Sequence, residues 1–121
     1  MHMVESVREI SELFKTLGET NRLRVVMMLR ARPMCVCELA CVLGLDQSTV
    51  SRHLTKLKGA GLVEDERSGQ WTDFKLVLPA RNSWKGKILK TLMDELEASD
   101  IIRADAVDAK KVDRNVVCKQ T

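Results

Sequence analysis

Residues 33–54 read PMCVCELACVLGLDQSTVSRHL. Three thiols, Cys35, Cys37 and Cys41, fall within seven residues, and a fourth, Cys118, stands near the C-terminus. Thiolates are soft donors that select soft ions. The same thiols could instead cross-link on oxidation, serve as an exchanging redox pair, or pack as small apolar groups. Geometry bears on the choice. Residues two apart on an ideal helix point about 160° away from each other, so Cys35 and Cys37 cannot hold one ion inside a regular helix. Cys37 and Cys41 differ by only about 40°. Recruiting Cys35 is therefore expected to unwind the first turn of the helix that carries it. Packing alone is a weaker account, because the apolar stripe here is Val36, Leu39, Ala40 and Leu43, with Cys37 and Cys41 off it.

The elements that must position these thiols follow from apolar periodicity. Val7, Ile10, Phe14 and Leu17 predict a first helix over about 5–17, ended by Gly18. Thr20 is placed to cap a second helix, about 20–31, with Leu23, Val26 and Met27 inward, and Pro33 stops it. The Val36–Leu43 stripe gives a short third helix closed by Gly44 as a left-handed cap. Asp46 or Ser48 can cap a fourth, which runs to about Lys58 before Gly59 and Gly61. Two short runs then flank Ser68-Gly69, a hairpin turn signal. Trp84, Ile88, Leu92 and Leu96 give a fifth helix over about 83–98. The order is mainly α with a small β-hairpin. The short Gly44-Leu45-Asp46 turn and the hairpin after it make a winged helix-turn-helix. Residues 1–99 are expected to form the DNA-binding and dimerisation domain. Residues 100–121 form a tail of mixed pattern to which the sequence assigns no structure.

The fourth helix has two faces. Val50, Leu54 and Leu57 point inward; Ser48, Ser51, Arg52 and Thr55 point outward, with Lys56 beside them. Between Gln47 and Ala60 the charges are Arg52, Lys56 and Lys58, with no acid, a local face that suits a polyanion. Hydroxyls can bond bases or phosphates, Arg can take guanine in a bidentate pair, and Gln47 at the helix start can pair with adenine. The candidate DNA contacts are Gln47, Ser48, Thr49, Ser51, Arg52, Thr55 and Lys56, with Arg67 and Gln70 at the wing tip. His53 falls nearer the apolar face and reads as packed or bonded to phosphate. The stripes Val7/Ile10/Phe14/Leu17 and Trp84/Ile88/Leu92/Leu96 exceed what one small core needs, which predicts a homodimer through the first and fifth helices.

Composition sets the frame. Of 121 residues, 45% are hydrophobic and 3% aromatic, so aliphatic side chains and Met must fill a single modest core. The formal charge of +3 is too small to name a partner by itself. No apolar run of signal-peptide or membrane-spanning type is present, which predicts a cytoplasmic protein with no membrane partner. Cysteines in a reducing compartment point to metal or redox chemistry before structural disulfides.

CVCEL ahead of GLDQSTVSRHLTKLKGAGLV, followed by SGQWTDFKL, resembles the ArsR/SmtB family of bacterial metalloregulatory repressors, across about residues 10–98. CVCEL is similar to the ELCVCDL metal box of its arsenic, antimony and cadmium/lead sensors. The resemblance implies a homodimer that pairs its first and last helices, binds operator DNA, and lets go when metal binds. It implies that Cys35 and Cys37 are metal thiolates and that Gln47, Ser48, Ser51 and Arg52 read DNA. Arsenite or antimonite is the implied inducer, with cadmium or lead as alternatives, and no catalysis is expected. One departure stands out: the third thiol of the arsenic branch follows the CVC pair by three residues, where this chain has Ala40 and then Cys41. Cys41 and Cys118 therefore compete as third ligand. The family's zinc site on the dimer helix is not expected, since residues 83–100 hold acids but no His, and the only histidines are His2 and His53. A thiol-redox or persulfide sensor of the same fold, pairing Cys37 or Cys41 with Cys118, is the alternative. A thiol oxidoreductase using Cys35 and Cys37 is a third, disfavoured by the lack of a βαβ pattern around the thiols.

Overall fold

The computed structural model describes residues 6–118. In chain order the elements are α1 (Ser6–Leu17), α2 (Thr20–Ala31), β1 (Met34–Cys35), α3 (Val36–Leu43) and α4 (Gln47–Gly59), then β2 (Val63–Ser68), β3 (Trp71–Leu76), α5 (Trp84–Leu96), α6 (Asp100–Lys111) and α7 (Arg114–Val117). This is a winged helix-turn-helix, mostly helical with one small antiparallel sheet. The expected helix start at residue 5, His2 and the last three residues of the tail lie outside the described residues. No helix among those described is long and apolar enough to cross a membrane.

α2 is the hub. Val25 to Leu29 are five consecutive buried residues, because α2 is packed by α1, α4, α6 and β3. A helix covered on several sides carries an apolar run rather than a narrow stripe. Its N-cap is Glu19, whose carboxylate accepts from the Arg22 N–H at 3.0 Å, so Thr20 is the first helical residue and not the expected cap. Leu39 and Leu43 of α3 and Val50, Leu54 and Leu57 of α4 join the same core, as their spacing predicts. Gly44 takes the left-handed conformation, φ 70°, that closes α3 and lets the chain turn sharply into α4. Asp46 caps α4, its carboxylate accepting from the Thr49 N–H at 2.7 Å.

Three features depart from the sequence reading. The sheet has three strands, in the order β1–β3–β2, because Met34 and Cys35 pair antiparallel with Phe74 and Asp73. The segment from Asp100 is helical: α6 packs on α2 and α3, burying Ile102, Asp105 and Ala109. Asp105 is held there by a two-pronged bond from Arg24, 2.9 Å on each oxygen. Finally, the expected stripes of the outer helices split. Leu13 and Leu17 of α1 are buried, while Val7 and Phe14 are 79% and 50% exposed. In α5, Leu89 and Met93 are buried and Trp84, Ile88, Leu92 and Leu96 only partly covered.

Candidate functional site

Cys35 is the last residue of β1 and the N-cap of α3, with extended backbone angles (φ −92°, ψ 168°). The expected unwinding is therefore not needed. Cys35 lies outside the helix from the start, and the 160° separation of an ideal helix does not apply to the pair. The Cys35 and Cys37 sulfurs stand 3.5 Å apart across the helix start. Cys118, the C-cap of α7, brings its sulfur to 3.8 Å from that of Cys35 and forms a disulfide with Cys37, with the two Cα atoms 5.6 Å apart. All three sulfurs lie within 4.8 Å of one another. Cys41 is a free thiol on the exposed side of α3 and is not in this group. One turn beyond Cys37, it keeps to the helix's outer face, whereas the group gathers at the helix start. Of the two competing third thiols, the fold brings in Cys118.

The surroundings of the group are polar and charged. The Cys35 N–H donates to Glu38 Oε1 at 2.9 Å, and Glu38 is buried. Arg32 reaches the other carboxylate oxygen of Glu38 at 3.3 Å, and Arg114 approaches Oε1 at 3.6 Å. Arg114 also bonds Asp73 on β3 at 2.7 Å and lies 5.3 Å from the centre of the Trp71 ring. Burial pushes the Cys35 thiol up from its ordinary range, and the Glu38 charge adds to this; the Glu38 backbone N–H and the Arg114 charge pull the other way. Glu38 was not singled out in the sequence, although its place as the third-position acid of a helix cap is a signal that could have found it. Asp73 and Arg114 carried no signal, since Arg114 meets Asp73 and Glu38 only through tertiary folding.

The group can do two things. Reduced, it offers three soft donors at one point, with no nitrogen or carboxylate among them, which suits a three-coordinate soft ion. Oxidised, it ties α7 to α3.

On α4, Gln47, Ser48, Ser51, Arg52, Thr55 and Lys56 are exposed, and Thr49 is half-buried. Several are braced within the helix. Arg52 donates to Thr49 Oγ1 at 3.3 Å, Ser48 Oγ to Asp46 at 3.1 Å, and Thr55 Oγ1 to the Ser51 carbonyl at 2.9 Å. Arg67 and Gln70 are exposed at the wing tip, and Arg67 donates to the Gly69 carbonyl at 3.1 Å. Lys58 bonds Asp65 at 2.9 Å and so fixes β2 to α4. His53 is packed, with Nδ1 3.2 Å from an Arg22 nitrogen and Nε2 3.8 Å from Glu19. Sequence periodicity also misses that Lys15 and Arg22, from α1 and α2, line a concave surface with Lys56 and the acid Glu12.

Comparison with known proteins places these features in a wider group. A family signature described as "Bacterial regulatory protein, arsR family" matches residues 19–65. The arsenic resistance transcriptional regulator ArsR2 of Pseudomonas putida is 32% identical over 111 residues, spanning 88% of this chain and 96% of that one. The transcriptional repressor BigR from Xylella fastidiosa superposes with a TM-score of 0.65 at 26% identity, over 81% of this chain and 93% of that one. A homodimeric winged helix-turn-helix DNA-binding domain from Mycobacterium bovis shares the fold, with a TM-score of 0.62 at 22% identity over 78% of this chain and 82% of its own.

Proposed function

Because this chain belongs to the arsR family of bacterial regulatory proteins, we propose that it is a homodimeric repressor that leaves its operator when arsenite or antimonite binds Cys35, Cys37 and Cys118. The observation that carries this reading is the meeting of three sulfurs within 4.8 Å of one another. The third donor is Cys118 rather than Cys41, and the binding form is the one with Cys37 and Cys118 reduced.

Coupling to DNA runs through two short paths. Cys35 is the strand partner of Asp73 on β3, so a pull on its sulfur is a pull on the wing. Cys37 rides on α3, which packs directly against α4. Drawing three sulfurs into one pyramid shifts both relative to the DNA-facing side. A coupling of about 3 kcal/mol weakens operator binding more than roughly 100-fold. Gln47, Ser48, Thr49, Ser51, Arg52, Thr55 and Lys56 meet the major groove, and Arg67 and Gln70 meet the minor groove or backbone.

The deciding experiment is operator-binding titration of the reduced protein with arsenite, antimonite, cadmium, lead, zinc and hydrogen peroxide side by side. Release by arsenite or antimonite at the lowest concentration is expected. Normal arsenite release in a Cys35→Ser, Cys37→Ser double variant defeats the reading.

The Cys37–Cys118 disulfide favours a second reading, a thiol-redox repressor of the same fold. There the two thiols give two electrons and two protons to an oxidant such as peroxide, which leaves as water. Release by peroxide at concentrations far below those of any metal selects it. An oxidoreductase using Cys35 and Cys37, whose sulfurs stand 3.5 Å apart, is separated from both readings by a disulfide-reductase assay.

A further inference from the structure

We propose that Arg114 is the positioning residue that holds Cys118 in the thiol group and makes that group move together with the wing. The inference deepens the reading above and rests on the same site. α7 is four residues long and buries none of them; Val116 is 66% exposed and Val117 36%. So short and exposed a helix is not fixed by burial. Besides its packing on α3 and the Cys37–Cys118 bond, what holds it is its first residue. The Arg114 guanidinium bonds Asp73 at 2.7 Å, approaches Glu38 at 3.6 Å and lies over the Trp71 ring. At the other end of the same turn, the Cys118 N–H donates to the Arg114 carbonyl at 2.9 Å. Cys118 is therefore held by one helical turn from an anchor on β3.

That anchor is the wing itself. Asp73 is the strand partner of Cys35, and Trp71 opens β3 directly after the turn at Gly69. The group thus has two ties to one strand: Cys35 by the backbone and Cys118 by Arg114. Glu38 keeps Arg32 as a second partner, so loss of Arg114 does not leave a buried carboxylate unpaired. Asp113, the neighbouring acid, caps α7 through the Asn115 N–H and does not compete for Arg114.

The test uses the full chain and needs neither metalloid nor DNA. Reduced protein is equilibrated with glutathione disulfide. Cys37 and Cys118 give up two electrons and two protons, their S–S bond forms, the glutathione S–S bond breaks, and two glutathione thiols leave. The equilibrium constant is expected to fall about tenfold in Arg114→Gln, and similarly in Asp73→Asn, as loss of one charged hydrogen bond implies. Arg114→Lys, which keeps the charge without the planar fork, should recover part of it. Trp71 fluorescence, in a Trp84→Phe background, should change between the reduced and oxidised forms of the parent and stay constant in Arg114→Gln. Parent-like glutathione constants in both Arg114→Gln and Asp73→Asn overturn the proposal. So does a Trp71 response that survives the loss of Arg114. Failure of arsenite to release DNA bears on the inducer and not on these two measurements.

Discussion

Cys41 and Cys118 differ by a single criterion that substitution can read: whether the sulfur belongs to the group. A serine hydroxyl is nearly the size of a thiol but a poor ligand for a soft ion. Cys41→Ser should therefore release DNA at the same arsenite concentration as the parent. Cys118→Ser should bind operator normally yet lose the response, and a normal response in Cys118→Ser sinks the three-thiol assignment. On α4, Arg52 is exposed and braced on Thr49, so its removal leaves the core untouched. Arg52→Ala is expected to cost roughly 1–3 kcal/mol of specific binding at fixed salt with an unchanged melting temperature. Asp46 adds a pH dependence. The bonds it accepts, from Thr49 first and then Ser48, hold its carboxyl below the ordinary range. A carboxylate held down in the fold contributes stability above its unfolded range and loses it as pH falls through the folded value. The start of α4 should thus stay protected at neutral pH and fray only in acid, which amide exchange across that range will report.

Among the elements, α6 is the one whose place hangs on a polar pair. Arg24 and Asp105 are 81 residues apart in sequence and nearly covered by the fold. Asp105→Ala leaves the Arg24 charge without its partner in a covered site, so a loss of about 3 kcal/mol in urea unfolding is expected. The same pair explains why the sequence is silent here. An acid in the middle of the inward stripe Ile102, Asp105, Ala109 breaks the apolar period, and its counter-charge lies in α2. β1 is silent for a different reason: two residues are too few to show alternation, and Met34-Cys35 become a strand only because β3 lies beside them. By contrast, α3, α4 and the wing were legible, since each carries its own local signal: the closing Gly44, the N-cap Asp46 and the turn Gly69. The thiol site was half legible. Spacing marked Cys35 and Cys37, but an ideal-helix argument misjudged Cys35, because a cap residue does not obey helical angles.

For the whole molecule, the unmatched apolar surface is the main consequence of the split stripes. Val7 and Phe14 of α1 are exposed, and the outer stripe of α5 is only partly covered. We expect a two-fold dimer through these helices, its α4 pair about 34 Å apart and its operator near-palindromic. Light scattering of the reduced protein at micromolar concentration should give twice the chain mass, and Phe14→Glu should give a folded monomer with weakened operator binding. A parent that scatters as a monomer rules the dimer out. The small sheet carries a further consequence, for solubility. A sheet edge is a row of unpaired donors and acceptors on which another chain can grow. Here one edge, β1, ends after two residues in a helix. The other, β2, presents Glu64, Asp65, Glu66 and Arg67 in succession. The sheet therefore offers foreign strands neither a length of backbone nor an uncharged one, which disfavours edge-to-edge aggregation.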